Sequence, residues 1–265
     1  MTINERLSEC SIKQKDGNTV VFKKNQLPEI EGLRVMQILK NDIPINCYYL
    51  QSDDKKDIII LPLNSETEAK TIGEKTPRLF IYFPLLGTEI NSINYIYHSE
   101  RFYPTEPRDL IVLPDGNTEH QYKIENDVKV LAEMDEMLFN YLKNHVQNIH
   151  NGIYLAPIGF DMKLRKSVTM DYFKARHETW VGVFKSLPLI EMEDENVSIE
   201  STSKVRVLDH SIVEFLRQEG NYKYLDVSGV LIALKKFPVL ILEVVTALQC
   251  HKRCSMMKKQ LILEA

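Results

Sequence analysis

The sequence predicts an α+β fold, in which a mixed β-sheet packs against a long helix and a smaller, mostly helical region follows. The first third of the chain alternates short apolar runs with polar turns, which is typical of strands. Apolar residues then recur at three- and four-residue steps over residues 126–149, which predicts a long amphipathic helix. The chain has 265 residues, enough to bury a core without disulfides or metals.

Turn residues separate the predicted strands. Gly17, between two apolar runs, supplies the positive φ that a tight hairpin needs. Pro84 is expected to end its strand, because proline cannot donate a ladder hydrogen bond. The predicted strands are residues 11–15, 19–23, 45–51, 57–63, 79–85, 94–98 and 187–190. Residues 110–113 are expected to form a further strand or an extended segment. Residues 64–76 have no apolar period, so they are expected to form a surface loop.

The helix at 126–149 should begin at Asn126 or Asp127, which are good capping residues, and stop before Gly152. Its predicted inward side chains are Val128, Leu131, Met134, Leu138, Tyr141, Leu142 and Val146. A second helix is predicted at 166–186, with Val168, Tyr172, Ala175, Trp180 and Phe184 facing inward. An acidic loop at 191–200 and helices at 209–218 and 250–263 are predicted to follow.

Composition excludes several classes of protein. The net charge of −4 gives no overall basic field that would attract nucleic acid or a membrane surface, although a short basic tail could contact nucleic acid weakly. No apolar leader opens the sequence. The most apolar stretch, residues 227–248, contains Lys235, Lys236 and Glu243, so it is expected to be a buried core segment rather than a membrane span.

The four cysteines are scattered and show no disulfide framework, which predicts a reducing, cytoplasmic location. Cys250, His251 and Cys254 do not form a complete metal-ligand set, and we expect no metal there. No phosphate-binding loop, dinucleotide fingerprint or hydrolase elbow occurs. The seven histidines are dispersed, so the sequence indicates no self-contained catalytic site.

One irregular segment, residues 98–109, draws attention. Pro104 and Pro107 stiffen it, and the aromatic residues before them can anchor it on a core. Arg108 would then project from a rigid base, and a rigid guanidinium suits a phosphate group because its planar fork offers paired donors. The alternative is that Arg108 pairs at the surface with Glu106 or Asp109.

Three segments of the chain share a recognisable pattern: PRLFIYFPLLGTE at 77–89, YHSERFYPTEPRDLIVL at 97–113 and WVGVFKSLPLIE at 180–191. These segments resemble those of bacterial sacsin-like ATPases. They occur in the order found in that family, with a long helix between the second and the third. The family is similar to the ninety-kilodalton heat-shock chaperones, in which a middle-domain arginine reaches the γ-phosphate of ATP bound by the preceding domain.

The resemblance implies that Arg108 contacts ATP in trans, and that ATP and Mg²⁺ are held by a partner domain or subunit. The motifs of the family's ATP-binding domain are absent here. Where the family usually has Arg-Asp-Gly, this chain has Arg108-Asp109-Leu110. The backbone conformation after the arginine is therefore expected to differ from that of the family. The implied protein is a noncatalytic coupling module, a split or truncated relative that relays nucleotide state to a client.

Three segments are therefore expected: a β-rich part at 1–76, a chaperone-middle-like core at 77–194 and a mostly helical part at 195–265. The resemblance implies that residues 1–76 are either the end of an ATP-binding domain or the start of the middle domain. A protein-interaction scaffold with no nucleotide role is an alternative, with residues 227–248 and the basic tail as its docking surface. The third hypothesis is a free-standing enzyme that uses His98 or Asp109.

Overall fold

The computed structural model describes residues 7–90, 93–106, 108–116, 119–157 and 167–190, and the pairs 200–201, 207–208 and 244–245. The C-terminal predictions lie outside these residues, apart from Glu200, Val244 and Val245. They comprise the acidic loop at 191–200, the helices at 209–218 and 250–263, the apolar stretch at 227–248 and the cysteine group at its end.

A five-stranded antiparallel meander opens the sheet, and each of its strands pairs with the next. The strands are β1 (Glu9–Lys13), β2 (Thr19–Ile30), β3 (Leu33–Lys40), β4 (Ile43–Gln51) and β5 (Asp57–Leu61). Gly17, with φ 87°, turns the first hairpin, as the sequence predicted. The turn before β5 uses Lys55 in the left-handed region, with φ 61°.

The region predicted as a loop at 64–76 carries a small separate hairpin. Its strands are β6 (Leu63–Ser65) and β7 (Glu68–Ala69), which pair with each other. The buried Leu63 and Ala69 attach this hairpin to the main core. The loop prediction was therefore wrong for residues 64–69, nearly its first half, and fits the residues that follow.

Three more strands complete the main sheet: β8 (Leu79–Ile81), β9 (Phe83–Pro84) and β10 (Ile96–Ser99). β10 lies between β5 and β8, antiparallel to the first and parallel to the second. The single strand predicted at 79–85 was wrong, because Tyr82 has φ 60° and folds the chain back on itself. Residues 110–113 contribute only an isolated bridge between Ile111 and Pro104.

Two helices follow, α1 (Gln121–His145) and α2 (Ser167–Ser186). The predicted inward face of α1 is largely confirmed, since Leu131, Met134, Leu138 and Leu142 are buried. Its ends were mispredicted: the helix begins before Asn126 and gives way at Val146 to a short 3-10 turn. His120 precedes α1 and makes no side-chain capping bond, so no residue type marked this start.

Aromatic residues form the buried side of α2. Trp180 and Phe184 are buried, as predicted, and their rings stack with centroids 5.5 Å apart. Phe139 of α1 meets the edge of Trp180 at 5.2 Å. Ala175 was predicted to face inward but is exposed. Phe173 is buried instead.

The main core lies between the two helices and one face of the sheet, and the fold is α+β. Strands from both sides of residue 76 pair in this sheet, through β5 and β10. After α2, β11 (Pro188–Ile190) confirms the strand predicted there and pairs with β12 (Glu200–Ser201). Farther along, β13 (Val207–Leu208) pairs in parallel with β14 (Val244–Val245). Within the described residues, no helix combines the length and the apolar character needed to span a bilayer.

Candidate functional site

Residues 102–111, here called the arginine loop, form a narrow turn held by backbone hydrogen bonds. The amide of Thr105 donates to the carbonyl of Leu110 at 2.8 Å, and the amide of Val112 donates to the carbonyl of Tyr103 at 2.9 Å. The amide of Arg108 donates to the carbonyl of Thr105 at 2.6 Å. Arg108 therefore lies at the tip of this turn.

The side chain of Arg108 is exposed and makes no hydrogen bond or ion pair with any residue that the structure describes. Its backbone has φ 71°, a left-handed conformation that costs a branched or long side chain about 1–2 kcal/mol. The alternative of a surface pair with Asp109 is not seen. That carboxylate instead accepts a hydrogen bond from the Thr105 hydroxyl at 2.7 Å.

Asp127 of α1 fixes the base of the loop. Its carboxylate is fully buried and accepts the Tyr103 amide at 3.0 Å and the Val112 amide at 2.9 Å. The Asn126 side-chain amide donates to it at 3.0 Å. Burial raises the pKa of Asp127 to about 6, although these donors and Lys123 favour the ionised form. Asp127 thus joins both strands of the turn to the helix.

Arg101, just before the loop, makes a second attachment. Its guanidinium pairs with Asp57 of β5 and with Glu133 of α1, the latter at 2.7 Å. The Ser99 hydroxyl donates to the same Asp57 carboxylate at 2.6 Å. The carbonyl of Arg101 accepts the side-chain amide of Asn126 at 2.8 Å. The base of the loop is therefore tied to both the sheet and α1.

The segment at 84–89 packs against the tip of the loop. Gly87 has φ 102°, and a Cβ placed there would lie 3.5 Å from the carbonyl oxygen of Asp109. The fully buried Thr88 accepts the amides of Arg78 and Leu79 at 3.0 and 3.1 Å. Glu89 accepts the amide of Gly87 at 2.8 Å. Two of the three segments that carried the resemblance, 77–89 and 97–113, are thus in contact.

The two residues of the enzyme hypothesis, His98 and Asp109, make contacts that stabilise the fold. His98 is buried, and burial lowers its pKa. Its Nδ1 lies 3.2 Å from the carbonyl of Phe80 and 3.4 Å from the Tyr82 amide. Among the described residues, the His98 ring hydrogen-bonds to main-chain atoms only, and Asp109 accepts the Thr105 hydroxyl. Three or more metal-ligating side chains do not converge anywhere in the described part of the chain.

Sequence reasoning missed three of the residues that hold this site. Asp127 was interpreted as a helix cap, whereas it is a buried acceptor for loop amides. Arg101 has no motif of its own. Arg78 lies in the segment 77–89 and was given no role of its own. It is buried and donates to the carbonyls of Ile93 and Thr76 at 2.9 and 2.6 Å. Only the spacing of polar residues inside an apolar helix face could have pointed to Asp127.

Acidification should stabilise the native chain through Asp127. The pKa of Asp127 is about 6 in the folded chain and about 3.9 in an unfolded chain. Between about pH 3.9 and pH 6 the native state therefore binds more protons at this residue than the unfolded state does. The contribution to stability is complete at low pH and is lost as the pH rises through 6. Between pH 7 and pH 5 the wild type should gain about 1 kcal/mol relative to Asp127→Asn, which cannot titrate.

Urea unfolding of both proteins at the two pH values measures this difference. At pH 7 the Asp127→Asn chain should also be weaker by about 1–3 kcal/mol, because an amide nitrogen would face buried donors. Equal pH dependence in the two proteins would contradict the assignment.

No protein-family model matches this sequence, and no curated protein or solved structure matches it either.

Proposed function

We propose that this chain is a noncatalytic coupling module of a sacsin-like, chaperone-type ATPase. It presents Arg108 to the γ-phosphate of ATP bound by a separate, cytoplasmic domain or subunit. The observation that carries the proposal is an exposed guanidinium without a partner among the described residues, at the tip of a turn whose base is buried. The left-handed backbone at Arg108 supports it, since such strain concentrates at functional positions.

The chemistry assigned to Arg108 is electrostatic. As the terminal phosphoryl group leaves, negative charge develops on its oxygens, and a guanidinium placed from outside the pocket stabilises that charge. Its planar fork can donate two hydrogen bonds to one phosphate. ATP and Mg²⁺ would come with the partner. No residue described in this chain is assigned to bind either of them.

Relay of the nucleotide state would use the attachments of the loop. Contact with a phosphate restrains Arg108, and the loop passes that restraint through Asp127 to α1 and through Arg101 to β5. Such a relay requires two arrangements of the domains that the nucleotide favours unequally. Helix α1 spans the core and is suited to transmit the displacement to a client-binding region.

Mixing the chain with a nucleotide-binding subunit encoded beside it tests the proposal. The wild-type chain alone should not hydrolyse ATP, and its addition should raise the subunit's turnover in a saturable manner. The chain should also bind the subunit more tightly with a nonhydrolysable ATP analogue than with ADP. Turnover and binding that are both indifferent to the chain would contradict the proposal.

A protein-interaction scaffold is the second candidate, and exposed apolar side chains favour it. Phe83 is 71% exposed and Leu86 is 68% exposed, and Leu86 directly precedes the glycine that touches the arginine loop. Large apolar side chains grouped at a surface are typical of interaction sites. A scaffold would bind its partner equally well with ATP, with ADP or without nucleotide, which distinguishes it from the coupling module.

A further inference from the structure

The segment 85–89 is fixed to the main sheet by one buried side chain. The hydroxyl of the fully buried Thr88 accepts the amides of Arg78 and Leu79, at 3.0 and 3.1 Å. The same hydroxyl donates to the carbonyl of Leu85 at 2.7 Å. A hydroxyl that accepts two hydrogen bonds and donates one has no bonding capacity left. Thr88 therefore closes this segment into a turn and fixes it beside the start of β8.

Arg78 and Glu89 complete this anchor. The buried guanidinium of Arg78 donates to the carbonyls of Ile93 and Thr76. Burial lowers the pKa of Arg78, and the negative charge of Glu89 opposes that shift. Glu89 also has a direct contact, because its carboxylate accepts the amide of Gly87 at 2.8 Å. Its charge and its hydrogen bond are therefore two separate properties, which different substitutions can remove.

Gly87 is the part of the segment that meets the arginine loop. Its φ of 102° is open to glycine and strained for other residues. A Cβ placed on Gly87 would lie 3.5 Å from the carbonyl oxygen of Asp109 and 3.8 Å from the Cβ of Asp109. Asp109 follows Arg108 in the chain. The backbone of Gly87 thus packs directly beside the tip of the loop.

We propose that Glu89 is a positioning residue, which fixes the tip of the arginine loop through its hydrogen bond to the Gly87 amide. This role rests on the proposed function, in which Arg108 must reach a defined point on a phosphate group. The attachments through Asp127 and Arg101 act at the base of the loop, whereas Gly87 touches it beside the tip. Accurate placement matters because a displacement of about 1 Å can cost about a hundredfold in rate.

Hydrogen exchange at single amides of the full chain tests this role without any partner. Two amides report on the tip: that of Arg108 donates to the carbonyl of Thr105 at 2.6 Å, and that of Leu110 donates to the hydroxyl of Thr105 at 3.1 Å. Glu89→Ala removes the acceptor of the Gly87 amide. It should speed the exchange of both tip amides by about tenfold or more, because the tip opens locally more often.

The amides at the base of the loop separate local loosening from loss of the fold. Those of Tyr103 and Val112 donate to Asp127, and they should keep their wild-type exchange rates in Glu89→Ala. Glu89→Gln removes the charge and keeps an oxygen that can accept the amide. If the hydrogen bond fixes the tip, the tip amides of Glu89→Gln should exchange as slowly as those of the wild type.

Asp16→Ala is the matched control. Asp16 lies in an exposed turn and accepts the amide of Asn18 at 3.0 Å, across the same two-residue spacing. Its loss should leave the arginine loop unchanged. The proposal is overturned if Glu89→Ala leaves the tip amides at their wild-type rates. It is also overturned if Glu89→Gln speeds them as much as Glu89→Ala does, because the charge would then hold the tip.

Turnover with the ATP-binding subunit connects this role to the proposed function. At a saturating concentration of the chain, Glu89→Ala should lower the stimulated turnover about tenfold. The chain concentration that gives half-maximal stimulation should not change, whereas a smaller folded fraction would raise that concentration and leave the saturated turnover intact. Full stimulation by Glu89→Ala would overturn the positioning role. A wild-type chain that stimulates nothing would instead contradict the coupling module, and amide exchange would still decide how Glu89 acts on the loop.

Discussion

Arg108→Ala should reduce the ATP turnover that the chain stimulates in its ATP-binding partner about a thousandfold relative to the wild type. An arginine supplied from outside a nucleotide pocket contributes about 10³–10⁵ in rate to phosphoryl transfer. Arg108→Lys should retain a small part, because lysine keeps the charge and loses the fork. Single-turnover hydrolysis with saturating ATP measures the loss at the chemical step.

Arg108→Gly separates this role from stability. Glycine tolerates φ 71° without strain, so this chain should unfold at higher denaturant, with a gain of about 1 kcal/mol, while stimulating no better than the alanine variant. Lys129→Ala is the matched control: Lys129 is an exposed cation on α1, 3.8 Å from Glu133, and its loss should leave stimulation intact. Full stimulation by Arg108→Ala would remove the arginine from the mechanism.

Arg176→Met should cost about 3–5 kcal/mol of folding free energy, the largest stability loss we expect. Arg176 of α2 donates from Nε and from a terminal nitrogen to the two oxygens of Asp135 in α1, at 2.8 and 2.7 Å. Both side chains are nearly buried. Removing the cation leaves a carboxylate inside the protein without its counter-charge, and such breaks cost this much.

The neighbours of Asp135 do not compensate for the missing cation. The Tyr97 hydroxyl and the Trp180 ring nitrogen donate to it at 2.8 and 3.0 Å, but neither carries a charge. Burial lowers the pKa of Arg176, yet the contact with Asp135 outweighs it and holds that pKa above its usual value. The guanidinium of Arg176 therefore stays charged throughout the working pH range.

Urea unfolding of Arg176→Met beside Lys129→Met measures the effect. Both variants remove a cation that pairs with a carboxylate of α1, but Lys129 is 74% exposed, so its loss should change stability by at most about 0.5 kcal/mol. The double variant Arg176→Met, Asp135→Leu should recover much of the loss, because no charge is then left buried. A loss below 1 kcal/mol for Arg176→Met would show that water reaches Asp135.

Local patterns predicted the elements that local forces determine. Gly17 predicted its hairpin because few other residues adopt that φ, and Leu131, Leu138 and Leu142 predicted the buried stripe of α1 because helical periodicity alone defines it. The break at Tyr82 could not be predicted, since tyrosine has no preference for positive φ. It is held there in part by its amide contact with His98, a partner from another strand.

The missed elements depend on distant partners. Strand β3 was overlooked because it carries apolar residues on both faces. Val35 belongs to the main core and Met36 to a separate apolar cluster with Tyr49 and Ile58, so the strand lacks a clean alternation. Asp135 and Arg176 are separated by 41 residues, and no spacing rule connects them. Arg108 was predicted to project from a rigid base because its segment contains two prolines, whereas its support by Asp127 required the structure.

The order of strands in the sheet has a consequence for synthesis. Within the meander, each strand from β1 to β4 pairs with the next strand in sequence, so the meander can assemble while the rest of the chain is still on the ribosome. β10 fills its place beside β5 only after another 35 residues are made, and α1 follows later still. Until then the nascent sheet exposes an unpaired edge at β5 and apolar residues on both faces. The nascent chain should therefore be most prone to aggregation during this interval.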